Sequence, residues 1–205
     1  MLEPVEGEAF DLIVSNPPFV ITSRVKDAET WTYRDGGAEG DTLVASLLSE
    51  IDDYLAPGGV AAMLANWEIP AGDTANADTA PWDARPRSWV APGMQAWLLQ
   101  RDRQDPAGYA ETWLQDSSLE LDPPAYEAAY RGYLDDFAAR GVAGVGFGHV
   151  WLRRPAADGS QGRGWVVAEE LTQAVDEALG TAWAAAVARR DRLTAGAGAG
   201  ADVGD

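Results

Sequence analysis

Asn16-Pro17-Pro18-Phe19 places a carboxamide, two proline rings and an aromatic face at the end of the apolar run Phe10-Asp11-Leu12-Ile13-Val14-Ser15. These groups suit the handling of a planar amino group. An exocyclic amine or carboxamide nitrogen is a poor nucleophile because its lone pair is delocalised. To react, it must be held in line with its electrophile and its N–H groups must be drawn toward acceptors. The Asn16 side-chain carbonyl can supply one acceptor and the Pro17 backbone carbonyl a second. The proline pair fixes φ and offers no competing N–H. Residues that precede proline are pushed out of the helical region, which keeps Asn16 and Pro17 from joining the next helix and leaves Ser15 in the strand. Phe19 offers a flat face to stack on. Chemistry at such a site rests on orientation and preorganised acceptors and requires no metal. The bare tripeptide Asn-Pro-Pro also occurs as a simple strand-ending turn; its strand context gives it more meaning.

The elements that position these residues follow from periodicity. Four strands are expected: Phe10 to Asn16, Gly58 to Asn66, Met94 to Gln100, and Val145 to Leu152. The first two are continuous apolar runs, the mark of strands covered on both faces. Asp41 can cap a helix whose stripe is Leu43, Leu47, Leu48 and Ile51 and which ends before Pro57-Gly58. Asp105-Pro106 and Asp122-Pro123 each combine an N-cap with proline at the first helical position. Gly141 suits the left-handed position after the second of these helices. A last helix is expected from Val167 or Ala168 to about Arg190. Residues 69–92 read mostly as loop, with a short helix near Trp82 to Trp89. The alternation of strands and helices predicts an α/β layer with a mainly parallel sheet. An Asn at the carboxyl end of such a strand stands where open α/β sheets bind ligands.

The string Ile13-Val14-Ser15-Asn16-Pro17-Pro18-Phe19 resembles the catalytic motif of Rossmann-like, S-adenosylmethionine-dependent amino-methyltransferases. Phe10-Asp11-Leu12-Ile13 is similar to that family's lead-in, and Leu55-Ala56-Pro57-Gly58-Gly59 to its next helix-to-strand turn. The resemblance spans roughly residues 10–152 and is closest to the protein-glutamine, ribosomal-RNA guanine and adenine N-methyltransferases. It implies that Asn16 faces both cofactor and acceptor nitrogen, that Pro17 accepts a hydrogen bond, and that Phe19 stacks. Asn16, Pro17 and Phe19 would then be catalytic, with Pro18 and Tyr33 joining them in substrate binding. The loop from Trp31 to Asp41 would lie beside the acceptor pocket. For Tyr33 and Asp35, a pocket role and an ordinary surface loop weigh equally. The implied substrate is a protein, RNA or DNA presenting a planar –NH2 group.

The sequence departs from the family at the cofactor. The family's Gly-rich loop after its first strand and its ribose-binding acid both belong upstream of Phe10, and neither has a counterpart here. Gly144-Val145-Gly146-Phe147-Gly148 lies after the motif and lacks a loop-to-helix context, so these read as strand-start or bulge glycines. Of the family's cofactor contacts, Asn16 alone remains. The expectation is therefore the C-terminal part of a methyltransferase sheet over residues 1–155, a helical extension over 156–193 and a disordered tail over 194–205. In that arrangement the strand ending at Asn16 becomes an apolar edge. The chain is then a fragment, or it depends on a partner half or on self-association. The alternative is a non-catalytic α/β remnant serving as an interaction or structural module.

Composition narrows the classes. A length of 205 residues suits one domain with a sizeable core. The absence of cysteine excludes disulfides, thiolate metal sites and thiol nucleophiles. A net charge of −18 argues against broad contact with phosphate backbones. With no apolar run long enough to span a membrane and no signal-peptide pattern, a cytoplasmic location is expected. His149 is the only histidine, and a structural role outweighs a catalytic one for it. Asp52-Asp53 and Asp135-Asp136 read as solvated helix faces, and Arg153-Arg154 and Arg189 to Arg192 as surface charge. Asn66 could line the same sheet end as Asn16, while Trp67 beside it reads as core.

Overall fold

The computed structural model describes residues 2–23, 39–72, 81–116, 121–159, 161–175 and 178–199. A 3-10 turn (Glu3–Val5) leads into β1 (Phe10–Ser15). Next come α1 (Thr42–Glu50), a 3-10 turn (Ile51–Tyr54) and β2 (Leu55–Pro70). The chain continues through α2 (Ala84–Ser88), β3 (Gln95–Gln104), α3 (Pro106–Asp116) and α4 (Pro123–Ala139). It closes with β4 (Val142–Arg153), β5 (Trp165–Glu170) and α5 (Leu179–Ala199). The result is a mixed α/β fold in which helices flank a five-stranded sheet of order β1-β2-β4-β3-β5.

β1 and β2 pair parallel, as do β3 and β5, while β4 is antiparallel to both β2 and β3. Four strands therefore share one direction and β4 alone opposes them. The expected parallel character holds for direction, although two of the four ladders are antiparallel.

Alternation divides the sheet into two faces. Ala61, Met63, Ala65, Trp67 and Ile69 of β2 join Ala96, Leu98, Val150 and Leu152 in a core closed by Val44, Leu47, Leu48 and Ile51. Leu47, Leu48 and Ile51 are as expected of α1, while Val44 and not Leu43 completes the stripe. On the opposite face, Val145 lies in a second core with Tyr109, Ala110 and Leu114 of α3, Tyr133 and Phe137 of α4, and Ile21. α5 covers the other end of that face.

The local signals for α3 and α4 behave as their residue types require. Asp105 Oδ1 accepts from the Gly108 N–H at 2.7 Å, and Asp122 Oδ1 from the Ala125 N–H at 3.2 Å. Gly141 ends the α4 region at φ +65°. Asp41 departs from expectation. It stands at the N-cap of α1, yet its carboxylate makes no capping bond and is committed elsewhere, as described below.

Other differences concern the glycines and the C-terminal third. The glycines of β4 lie mid-strand, where they make room. A Cβ at Gly146 would collide with Trp67 Nε1, and one at Gly148 with the Leu99 carbonyl oxygen. The Trp67 indole thus lies across a strip without side chains. The segment expected to begin the last helix is instead β5, paired in register from Gln95↔Trp165 to Gln100↔Glu170. Its Trp-Val-Val content fits a pleated surface, and the free side of β3 offers it a ladder. Part of the 156–193 extension is therefore sheet. α5 reaches Ala199, into the segment expected to be disordered. β1 is also covered on one face only. It is the edge strand, and Leu12 and Val14 are 62% and 74% exposed.

Candidate functional site

β1 delivers the chain to Asn16 at its carboxyl end, where Pro17 and Pro18, lacking N–H groups, cannot extend the ladder. The turn is held from both sides. Asn16 is exposed, Pro17 is buried, and Pro18 and Phe19 are half-buried. Phe19 packs against the first core. Two residues on, Ile21 enters the second core, and its N–H donates to the Tyr109 hydroxyl at 2.8 Å. Burial drives the Tyr109 phenol well above its ordinary value, with the Ile21 hydrogen bond opposing only in part. Tyr109 therefore stays a neutral acceptor. Asn16 projects from a fixed turn, and Phe19 presents a ring backed by the core.

The neighbouring strand carries Asn66, Trp67 and Glu68 in its carboxyl-terminal half. Trp67 is fully buried, stacks on Trp82 at 5.5 Å and donates to Gln100 Oε1 at 3.3 Å. It is a core residue, as its size suggests. Asn66 is also fully buried, yet among the described residues neither its Nδ2 nor its Oδ1 has a hydrogen-bond partner. An amide left in that state costs about 1–3 kcal/mol.

Glu68 anchors an ionic cluster. Its carboxylate pairs with Arg140, which also donates to Asp136 Oδ2 at 2.6 Å. Asp41 Oδ2 accepts from the Glu68 N–H at 2.8 Å and from Arg85 Nε at 2.8 Å. The carboxylate expected to cap α1 thus ties that helix to the carboxyl end of β2 and to α2. Burial raises the Glu68 carboxyl above the ordinary carboxylate range against the opposing bond from Arg140, and Asp41 adds to the rise. Gly40 is needed here both for its φ of +58° and because a side chain would meet Arg140 and Glu68. Asp136, expected to be solvated, is part of this cluster.

Tyr33 and Asp35, with the rest of the loop from Trp31 to Ala38, lie outside the described residues. Two basic clusters expected on the surface have structural tasks. Arg153 is buried, donates to Gln95 Oε1 at 2.6 Å, and forms a two-point pair with Asp191 at 2.9 and 2.6 Å. Arg190 sits over the Trp165 ring at 4.8 Å and the Trp97 ring at 5.7 Å. Together they clamp α5 onto the sheet. His149 meets Trp183 edge-on at 6.1 Å, and burial, then the Arg101 charge, lowers its pKa. Among the described residues no cluster of His, Asp or Glu could hold a metal ion, and no helix is long and apolar enough to cross a membrane.

An apolar groove of about 520 Å³ runs between α5 and the β1 edge, lined by Leu12, Val60, Ala62, Trp151, Trp183 and Val187 among others. It follows the amino-terminal half of β2, away from Asn16. Sequence reasoning missed this groove, Tyr109 and the Glu68 cluster. Glu68 carried a signal, as the one charge in the apolar run from Val60 to Ile69.

No family model matches the chain. The release factor glutamine methyltransferase of Geobacter sulfurreducens is 35% identical over 66 residues, covering 29% of this chain and 23% of that protein. The chain thus spans less than a quarter of that curated relative's length. A solved structure of Haemonchus contortus phospholethanolamine N-methyltransferase 2 matches with a TM-score of 0.28 and 13% identity, over 72% of this chain and 33% of that one.

Proposed function

We propose that this chain supplies the acceptor-nitrogen clamp of an S-adenosylmethionine-dependent N-methyltransferase acting on a planar amide or exocyclic amine. The observation that carries the reading is the placement of Asn16-Pro17-Pro18-Phe19. The exposed amide stands at the carboxyl end of a parallel strand, on a turn fixed by Phe19 in one core and Ile21 in the other. The 66-residue likeness to a glutamine methyltransferase supports the same class.

The chain's own residues act by orientation. The Asn16 side-chain carbonyl and the Pro17 backbone carbonyl accept the two N–H groups of the acceptor. The nitrogen lone pair is thereby turned away from its own π system and toward the methyl donor. Phe19 limits rotation of the planar group by stacking, and the preorganised acceptors need no rearrangement during reaction.

For the cofactor, the described residues do not form a complete site. Asn16 is the one candidate contact, and the glycines of β4 are filled by Trp67 and the β3 backbone, leaving no cradle. The remaining contacts would come from a partner half or from further chain paired along the free edge of β1, where Leu12 and Val14 present an apolar face.

The test is methyl transfer with Asn16→Ala. In the chain combined with the part that completes its cofactor site, loss of about 100-fold or more in kcat, with cofactor binding partly retained, is expected for removal of a preorganised acceptor. Unchanged turnover would sink the reading.

A further inference from the structure

The orphaned amide of Asn66 calls for an explanation, since buried polar groups are nearly always paired. Its placement supplies one. In the β1–β2 ladder Leu12 faces Val60 and Val14 faces Ala62. Asn66 follows Val60, Ala62 and Leu64 on the same sheet face by alternation, and Asn16 is the residue directly after β1, whose ladder with β2 ends at Ser15↔Met63. Asn66 therefore lies on the adjacent parallel strand, three residues beyond the last partner of β1. Across the other ladder Asn66 is opposite Phe147. Phe147 stacks on Tyr109 at 5.7 Å, the residue that fixes the chain leaving the Asn16 turn.

We propose that Asn66 is a second contact for the acceptor, pairing through its own amide with the planar carboxamide of a protein side chain. This deepens the methyl-acceptor reading and rests on it. A carboxamide suits both unpaired atoms of Asn66, since it offers an acceptor to Nδ2 and a donor to Oδ1 in one plane. Of the guanidiniums beside Glu68, Arg85 is committed to Asp41, and Arg140 to Glu68 and Asp136.

The experiment uses the whole chain and needs no turnover. Nitrogen-15 spectra of the side-chain amides are recorded while N-acetyl-glutamine N-methylamide is titrated in, and the Asn66 pair is assigned by its loss in Asn66→Leu. Saturable shifts of that pair are expected. Probe affinity should fall tenfold or more in both Asn66→Leu and Asn66→Ala. The melting temperature of Asn66→Leu, which keeps the branched shape without the polar atoms, should equal or exceed that of the parent. Unchanged affinity in both variants overturns the role of Asn66, and so does a Leu variant several degrees less stable, which would show the amide to be satisfied within the fold. Asn16→Ala separates the two levels. If it weakens the probe while the Asn66 variants do not, the clamp stands and Asn66 is not part of it. If neither position matters, or the parent does not bind the probe, both readings fall.

Discussion

At the scale of single residues, exposed and tightly packed positions should respond to substitution in opposite ways. Asn16 is exposed and its turn is held by its neighbours. Asn16→Ala should therefore leave thermal stability within about 1–2 °C, as for a surface change, while removing function. Gly148 is the opposite case. A Cβ there overlaps the Leu99 carbonyl oxygen and meets Trp67, so Gly148→Ala should cost about 3 kcal/mol through overpacking, read by urea denaturation. The motif was legible because its chemistry is local: one amide, two prolines and a ring in four consecutive positions. Asn66 was legible near the same sheet end as Asn16, but its unpaired buried amide was not, because that depends on what the fold leaves around it. Tyr109 was not legible with that turn, because its role rests on a hydrogen bond from the Ile21 N–H, 88 residues away in sequence.

Among the elements, α1, α3 and α4 follow from their stripes and terminal residues, because those signals lie within each helix. β5 does not, and α5 does so only in part: a last helix through Arg190 was expected, but where it starts and how it docks depend on remote partners. β5 forms where β3 has a free side, and α5 docks through Arg153–Asp191 and through Arg190 over two tryptophans. With Arg153 buried, Asp191→Ala should destabilise by about 3 kcal/mol, the usual result of leaving one charge of a buried pair. The exposed pair Arg87–Asp83 should lose less than about 1 kcal/mol on Arg87→Ala. Chemical denaturation of the two variants side by side checks the contrast. His149, under α5, adds a pH signature. Its folded-state pKa lies below the ordinary 6.5, so the unfolded chain binds the proton more tightly. The contribution is fully present above pH 6.5 and is lost as pH falls through the lowered value. Melting curves between pH 7 and 5 should show that decline, and His149→Gln should remove it.

For the whole molecule, the exposed β1 edge, with Leu12 and Val14, is where association should occur. A net charge of −18 opposes a second copy at low salt, and screening relaxes that opposition as ionic strength rises. Sedimentation at rising salt should therefore show increasing association, abolished by Val14→Lys without loss of the fold. A monomer at every salt concentration that unfolds cooperatively would count against a needed partner. The same edge bears on the functional claim, since the proposed acceptor clamp lies at the carboxyl end of β1 and the described residues do not complete a cofactor site. The most direct test supplies S-adenosylmethionine with a labelled methyl group and a protein extract to the protein expressed from its complete reading frame. Label should enter protein as amide N-methyl, and Asn16→Ala should reduce it by about 100-fold or more. Equal incorporation by both forms would contradict the account.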